Sequence, residues 1–219
     1  MNITDYILKE IKSLTLESTV ERAQKLFHEY PITHFNVVEN GVLLGLFSES
    51  DIQPLENKAA LLSEYSHLLT YFYAEEKTNV LALLQIFADN DATVIPVLDH
   101  TKKYLGYYDL CDVLDVFASS PFMIEESETM LVETVENNFS MSRISQIVEA
   151  NGGKLLGAYI SEKKTGNVQV TLKIVSQEIS EIIQTFRRYE YIILSSHEND
   201  SYLDDLKDRS QYLQKYLNI

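Results

Sequence analysis

Gly45-Leu-Phe-Ser-Glu-Ser-Asp51 returns later in the chain as Gly106-Tyr-Tyr-Asp-Leu-Cys-Asp112. The match continues upstream. Val20 and Val80, Phe27 and Phe87, and Val37 and Val97 stand at an offset of 60, whereas Gly45 and Gly106, and Asp51 and Asp112, stand at 61. One residue inserted in a loop, with the pattern intact on both sides, marks tandem copies of one structural unit. Two such units bury their apolar faces most simply against each other, and a cleft between paired units is a natural small-molecule site.

Each copy reads as a helix, two strands and a second helix. Ser18-Thr-Val-Glu21 has capping-box spacing, and Val20, Ala23, Leu26 and Phe27 follow at helical intervals. Thr78 opens the counterpart helix through Val80, Leu83, Leu84 and Phe87. Residues 34–38 and 42–47, around the turn Glu39-Asn-Gly41, read as a hairpin; its counterpart joins residues 93–98 to 104–108. Ser48 and Asp109 then open the closing helices. Pro54 ends or kinks the first of these, and residues 56–69 read as a helical connector.

After Pro121 the rhythm changes. Strand 130–135, helix 141–150, strands 155–161 and 168–174, a helix carrying Ile179, Ile182, Ile183 and Phe186 on one face, and strand 191–195 give the order βαββαβ. That is the split-βαβ, ferredoxin-like arrangement. Asn151-Gly152-Gly153 stops the first of its helices, since glycine readily takes the left-handed conformation of a helix end. The tail carries Tyr202, Leu203, Leu206, Tyr212, Leu213, Tyr216 and Leu217 as an apolar stripe on an acidic helix, packed on its own domain or against another subunit. The fold class is therefore α+β, with units at 1–58, 59–122 and 127–197 and a terminal amphipathic helix at 198–219.

Composition narrows the function. Among 219 residues, 33 Asp and Glu against 18 Lys and Arg leave a net charge of −15, which opposes a nucleic-acid surface and anionic membranes. No apolar stretch approaches the ~20 residues of a membrane span, and the N-terminus has no secretory signal. The single cysteine, Cys111, allows no intrachain disulfide, which fits a cytoplasmic protein. The histidines (His28, His34, His67, His100, His197) show no metal-ligand spacing. Cys111 stands between Asp109 and Asp112, whose charges oppose nucleophilic use. No catalytic constellation is visible, so the chain reads as a non-enzyme.

The turn from 45 to 51 supports two readings. As plain structure, the Ser48 hydroxyl caps a helix and the acid three residues on supports it. As a site, Ser48 and the free N–H groups of the helix start receive a phosphate, while the Asp51 carboxylate accepts from both hydroxyls of a ribose. The apolar strand around Val37, and Val97 in the second copy, would wall an adenine ring.

Residues 1–122 resemble a pair of cystathionine-β-synthase (CBS) domains, whose shared motif is Gly, two apolar positions, Ser or Thr, two variable positions, then Asp. Gly45, Ser48 and Asp51 fit it fully; Gly106 and Asp112 fit, but Asp109 stands where the hydroxyl belongs. The segment before the hairpin commonly reads apolar-Pro-Val, as in Ile95-Pro96-Val97, whereas the first copy has Phe35-Asn36-Val37. The resemblance implies a flat paired module (a Bateman module) with two clefts for adenosine-containing ligands such as AMP, ADP, ATP or S-adenosylmethionine. It places Asp51 and Asp112 on ribose, Ser48 on phosphate, and His34 where such modules often hold a phosphate-contacting cation. Asp109 puts a second carboxylate where phosphate would sit, at a cost on the order of several kcal/mol. The second cleft is therefore expected to refuse phosphate.

Residues 127–197 resemble an ACT domain, a regulatory fold that often binds amino acids at subunit interfaces. Its ligand loop normally carries a glycine; here Glu136-Asn-Asn-Phe-Ser-Met141 has none. Asn137, Asn138 and Ser140 offer polar contacts, but Phe139 can fill the space, which favours a structural or dimerising role. The CBS–CBS–ACT order is similar to that of the B-type acetoin-utilisation proteins. Two functions follow: a cytoplasmic regulator, as a homodimer with an unidentified protein partner, that senses an adenine nucleotide and changes geometry, or a dimerising scaffold with degenerate clefts. Neither requires a metal or a resident cofactor.

Overall fold

The computed structural model describes residues 3–195, so the terminal stripe at 198–219 and His197 lie outside the described residues. The chain divides into two compact units, Met1–Ser120 and Pro121–Ile219, and is mixed α+β throughout.

The first unit contains α1 (Val20–Glu29), the hairpin β1 (His34–Glu39) and β2 (Val42–Ser48), and α2 (Glu49–Ile52). The pattern then recurs as β3 (Ala74–Glu75), α3 (Val80–Asp89), β4 (Val94–Leu98), β5 (Tyr104–Asp109) and α4 (Leu110–Ala118). Repetition extends to irregularities. Both hairpins carry a register shift at the same place, between Val37 and Val38 and between Val97 and Leu98. The first turn is two residues, Asn40 and Gly41, both left-handed as a tight hairpin turn requires.

In both copies the helix cap falls one residue after the expected one. Thr19, rather than Ser18, accepts from Arg22 N, and Asn79, rather than Thr78, accepts from Ala82 N. Ser18 and Thr78 instead close the approach to the helix, accepting from Thr15 N and Glu75 N. A hydroxyl facing back along the chain is thus unavailable to the helix ahead.

The connector also differs from expectation. In place of a long helix over 56–69 there is a 3-10 segment, Leu62–Leu68. The cause is α1: its first N–H groups lack partners within the helix, and Val20 N and Glu21 N donate to Ala60 O and Lys58 O. Pro54 does follow the end of α2, and Gln24 Nε2 donates to the carbonyls of Ile52, Gln53 and Leu55 at 3.0, 3.2 and 3.0 Å.

Two extended segments stitch the copies together. Leu8 exchanges both backbone hydrogen bonds with Tyr107 of β5, and Leu14 then bonds to Asn36 and Val38 of β1. Thr70 exchanges both bonds with Leu46 of β2, after which β3 runs parallel to β4. Gly45 and Gly106 are needed where these segments pass. Their φ values are 154° and 153°, and a Cβ would stand 2.8 Å from Thr70 O at Gly45 and 2.3 Å from Leu8 O at Gly106. Each repeat keeps its own core: Phe27, Phe35, Val37 and Phe47 in the first, Leu83, Phe87, Ile95, Val97 and Tyr108 in the second.

The second unit begins with α5 (Pro121–Ile124), followed by β6 (Glu128–Val135), α6 (Met141–Ala150), β7 (Lys154–Lys164), β8 (Asn167–Val175), α7 (Ile179–Arg188) and β9 (Ile192–Ile193). Its sheet order, β7-β8-β6-β9, is antiparallel throughout and is that of the βαββαβ arrangement. Alternate residues of β8 (Val168, Val170, Leu172, Ile174) pack under Ile144, Ile147 and Val148 of α6 and Ile182, Ile183 and Phe186 of α7. No helix among the described residues is long and apolar enough to cross a membrane.

Candidate functional site

The hairpin register brings the first cleft's residues together. His34 opens β1 opposite Ser48, the last residue of β2, and both are only 8% exposed. Ser48 caps α2: its hydroxyl accepts from Asp51 N at 3.1 Å and donates to Asp51 Oδ2 at 2.7 Å, which fixes the carboxylate. Ser50 Oγ lies 2.9 Å from the same hydroxyl. Asp51 Oδ1 takes part in no hydrogen bond among the described residues.

His34 is held from both copies. Its Nδ1 lies 2.9 Å from Thr33 Oγ1, and Phe72, on the segment after Thr70, meets the ring edge-on at 5.4 Å between centroids. Burial pushes the imidazole pKa below its ordinary value; the charges of Asp51 and of Asp91 oppose that shift.

Thr33 and Thr93 mark the point about which the copies are related. Thr33 N donates to Thr93 Oγ1 at 3.0 Å, and Thr93 N donates to Thr33 Oγ1 at 2.9 Å. Their carbonyls accept from Glu49 N and Leu110 N, the first residues of α2 and α4. Thr33, Thr93 and Phe72 were not singled out from sequence. The threonines were discoverable at the 60-residue offset; Phe72 was not, because it meets the His34 ring from the segment after Thr70, outside the motif of the first copy.

The second cleft has the same frame and other chemistry. Val94 stands at the position of His34 and pairs with Asp109. Asp109 caps α4 by accepting from Cys111 N at 2.8 Å. Burial, and then the like charges of Asp109, Asp115 and Glu10, raise the Asp112 pKa. Residues 11–13 lie over His34, Asn36, Val94 and Tyr107, leaving about 10 Å³, about the room of one water. Asn36, in the proline position of the strand, donates through Nδ2 to Tyr104 Oη at 3.0 Å, while its buried Oδ1 has no partner.

Val37 and Val97 are placed differently from expectation. Both are 0% exposed in their repeats' cores, so their side chains wall neither cleft. The reason is strand alternation: Phe35 and Val37 face α1, so His34 and Asn36 face away from it.

In the second unit, Asn137 is exposed, and Asn138 is committed internally. Asn138 Nδ2 donates to Thr134 Oγ1 at 3.2 Å and to Tyr189 O at 3.1 Å, and its Oδ1 accepts from Arg143. Ser140 caps α6, and Phe139 packs against the core. Among the described residues, no group of three or more His, Cys, Asp or Glu could hold a metal ion.

Comparisons with known proteins find similarity over part of the chain. The CBS-domain family model matches residues 3–53. An uncharacterized protein of Methanocaldococcus jannaschii is 23% identical over 114 residues, 52% of this chain and 43% of that protein. The chain thus spans less than half the length of that curated relative. A solved CBS domain pair/ACT domain protein of Thermotoga maritima is similar with a TM-score of 0.48 and 18% identity, over 53% of this chain and 96% of that one. The protein CBSX2, solved in complex with AMP, is similar with a TM-score of 0.44 and 19% identity, over 53% and 95%.

Proposed function

We propose that the first unit is a regulatory CBS pair that binds an adenosine-containing ligand in the cleft of His34, Ser48 and Asp51. One observation carries this reading: Ser48 holds the Asp51 carboxylate at 2.7 Å with one oxygen free, beside a buried histidine. A fixed carboxylate accepts from a vicinal diol without paying again for its own ordering. Binding draws on both repeats, since Asp51 belongs to the first and Phe72, which meets His34 edge-on, packs with the second. A ligand that prefers one arrangement of the repeats shifts their equilibrium, and the signal passes to a partner without chemistry on the ligand. In this reading the protein is a cytoplasmic, non-enzymatic homodimer of CBS–CBS–ACT order, like the B-type acetoin-utilisation proteins, and the second unit dimerises.

The alternative is a scaffold with degenerate clefts. It is favoured by the carboxylates of the second cleft and by the internal commitment of Asn138. A thermal-shift panel of adenosine, AMP, ADP, ATP, S-adenosylmethionine and free amino acids separates the two. At 100 times its dissociation constant a ligand adds about 2.7 kcal/mol, so an adenosyl compound is expected to raise the melting temperature clearly. No shift from any adenosyl compound would leave the scaffold reading.

A further inference from the structure

Helices α1 and α3 occupy the same place in the two repeats and differ on their outer faces. In α1, Ala23 and Phe27 are buried, and the opposite face carries Glu21, Gln24, Lys25 and His28. The corresponding residues of α3, at the 60-residue offset, are Leu81, Leu84, Gln85 and Ala88. Their i, i+3, i+4, i+7 spacing sets them on one face, opposite Leu83 and Phe87 in the core. Leu81 is 67% exposed, Gln85 and Ala88 are exposed, and Leu84 is half-buried. One frame thus presents a water-compatible face in the first copy and an apolar face in the second. An exposed apolar stripe of this kind marks a contact surface.

Charge identifies what covers it. The chain has 33 acidic against 18 basic residues and a net charge of −15, yet no residue from 80 to 88 is charged. A basic partner would be drawn to carboxylates, which this face lacks. A second copy brings the same net charge of −15. An isologous contact sets a patch against itself, so an acidic chain meets its own copy best where charge is absent.

We propose that α3 is a self-association face, against which a second copy of this chain packs its own α3 antiparallel about a two-fold axis. With the axis between Leu84 and Gln85, Leu81 lies opposite the partner subunit's Ala88, and Ala88 opposite the partner subunit's Leu81. Leucine over alanine at both ends lets the helices approach closely. Gln85 Nε2 already donates to Asp89 Oδ1 at 2.6 Å, so the amide enters the seam with a partner from its own chain. The contact belongs to the first unit. It is independent of the dimerising role proposed for the second unit and of any ligand.

Cross-linking of the full chain tests this. The exposed Cys111 is first replaced by serine, which leaves no thiol. Gln85→Cys on that background, treated with a short bismaleimide, is expected to give a covalent dimer. Lys25→Cys, at the matching position of α1, is expected to stay monomeric. Adding Leu81→Glu to Gln85→Cys supplies the residue α1 has there and should cut the dimer about tenfold; Ala88→Glu, at the other end of the seam, should act alike. Leu81→Glu combined with Ala88→Lys should restore most of the dimer. Acid and base then face each other across the axis but stand two turns apart within one helix. Circular-dichroism melting is expected to show each variant folded. No dimer from Gln85→Cys, as much from Lys25→Cys, or a dimer unchanged by both acidic substitutions would overturn the face. Loss without restoration by Ala88→Lys would overturn the antiparallel register.

Discussion

Asp51 and Asp112 occupy one position of a repeated motif but have different neighbours. Asp51 is held by a serine hydroxyl near a buried imidazole, whereas Asp112 stands among Asp109, Asp115 and Glu10. The residue that differs, Ser48 against Asp109, was readable from sequence. The burial of His34 was not, because it depends on Phe72 and on packing from the other repeat. His34 also predicts a pH dependence. Its pKa is lowered in the folded state, so the unfolded chain binds the proton more readily, and stability falls as pH drops below the ordinary histidine value of about 6.5. Replacing His34 with glutamine should reduce the loss of melting temperature between pH 7.5 and 5.5. An unchanged loss would show that His34 is not charged at a cost on acidification.

At the scale of elements, the two extended segments explain why the motif begins with glycine. The spacing Gly–x–x–Ser–x–x–Asp invites a ligand explanation for all three residues. The structure assigns Gly45 and Gly106 to another task, clearance for the backbone at Thr70 and Leu8. Hairpins and amphipathic helices were legible because their periodicities are local. The segments were not, since each crosses to the other repeat and is fixed by backbone hydrogen bonds that leave no mark on side-chain type. They also differ in length: six positions separate Leu8 from Leu14, and four separate Thr70 from Ala74. In urea denaturation Gly106→Ala should destabilise the protein by roughly 2–3 kcal/mol. It should cost more than Gly166→Ala, where φ is also positive but no atom lies within 4 Å. Equal costs would mean that backbone strain alone, and not the crossing segment, requires the glycine.

For the whole molecule, the repeat carries fold and function at once. A related pair of units creates two clefts by construction, and the threonine pair at 33 and 93 shows how closely the frame is kept. The two clefts are nonetheless unequal. Val94 stands where the first copy has His34, and Asp109 where it has Ser48. The second unit was legible down to its strand order because its alternation is regular, most clearly along β8, buried on one face. Its loop, with Asn138 turned inward, offered no comparable signal, since an asparagine that binds its own chain and one that binds a ligand look alike in sequence. The central claim is that one cleft, the first, holds the ligand. Calorimetric titration of adenosine into Asp51→Ala and Asp112→Ala, each compared with the unmodified chain, tests it most directly. The account predicts that Asp51→Ala weakens binding at least tenfold and that Asp112→Ala changes it less than twofold; equal losses, or a larger loss from Asp112→Ala, would contradict it.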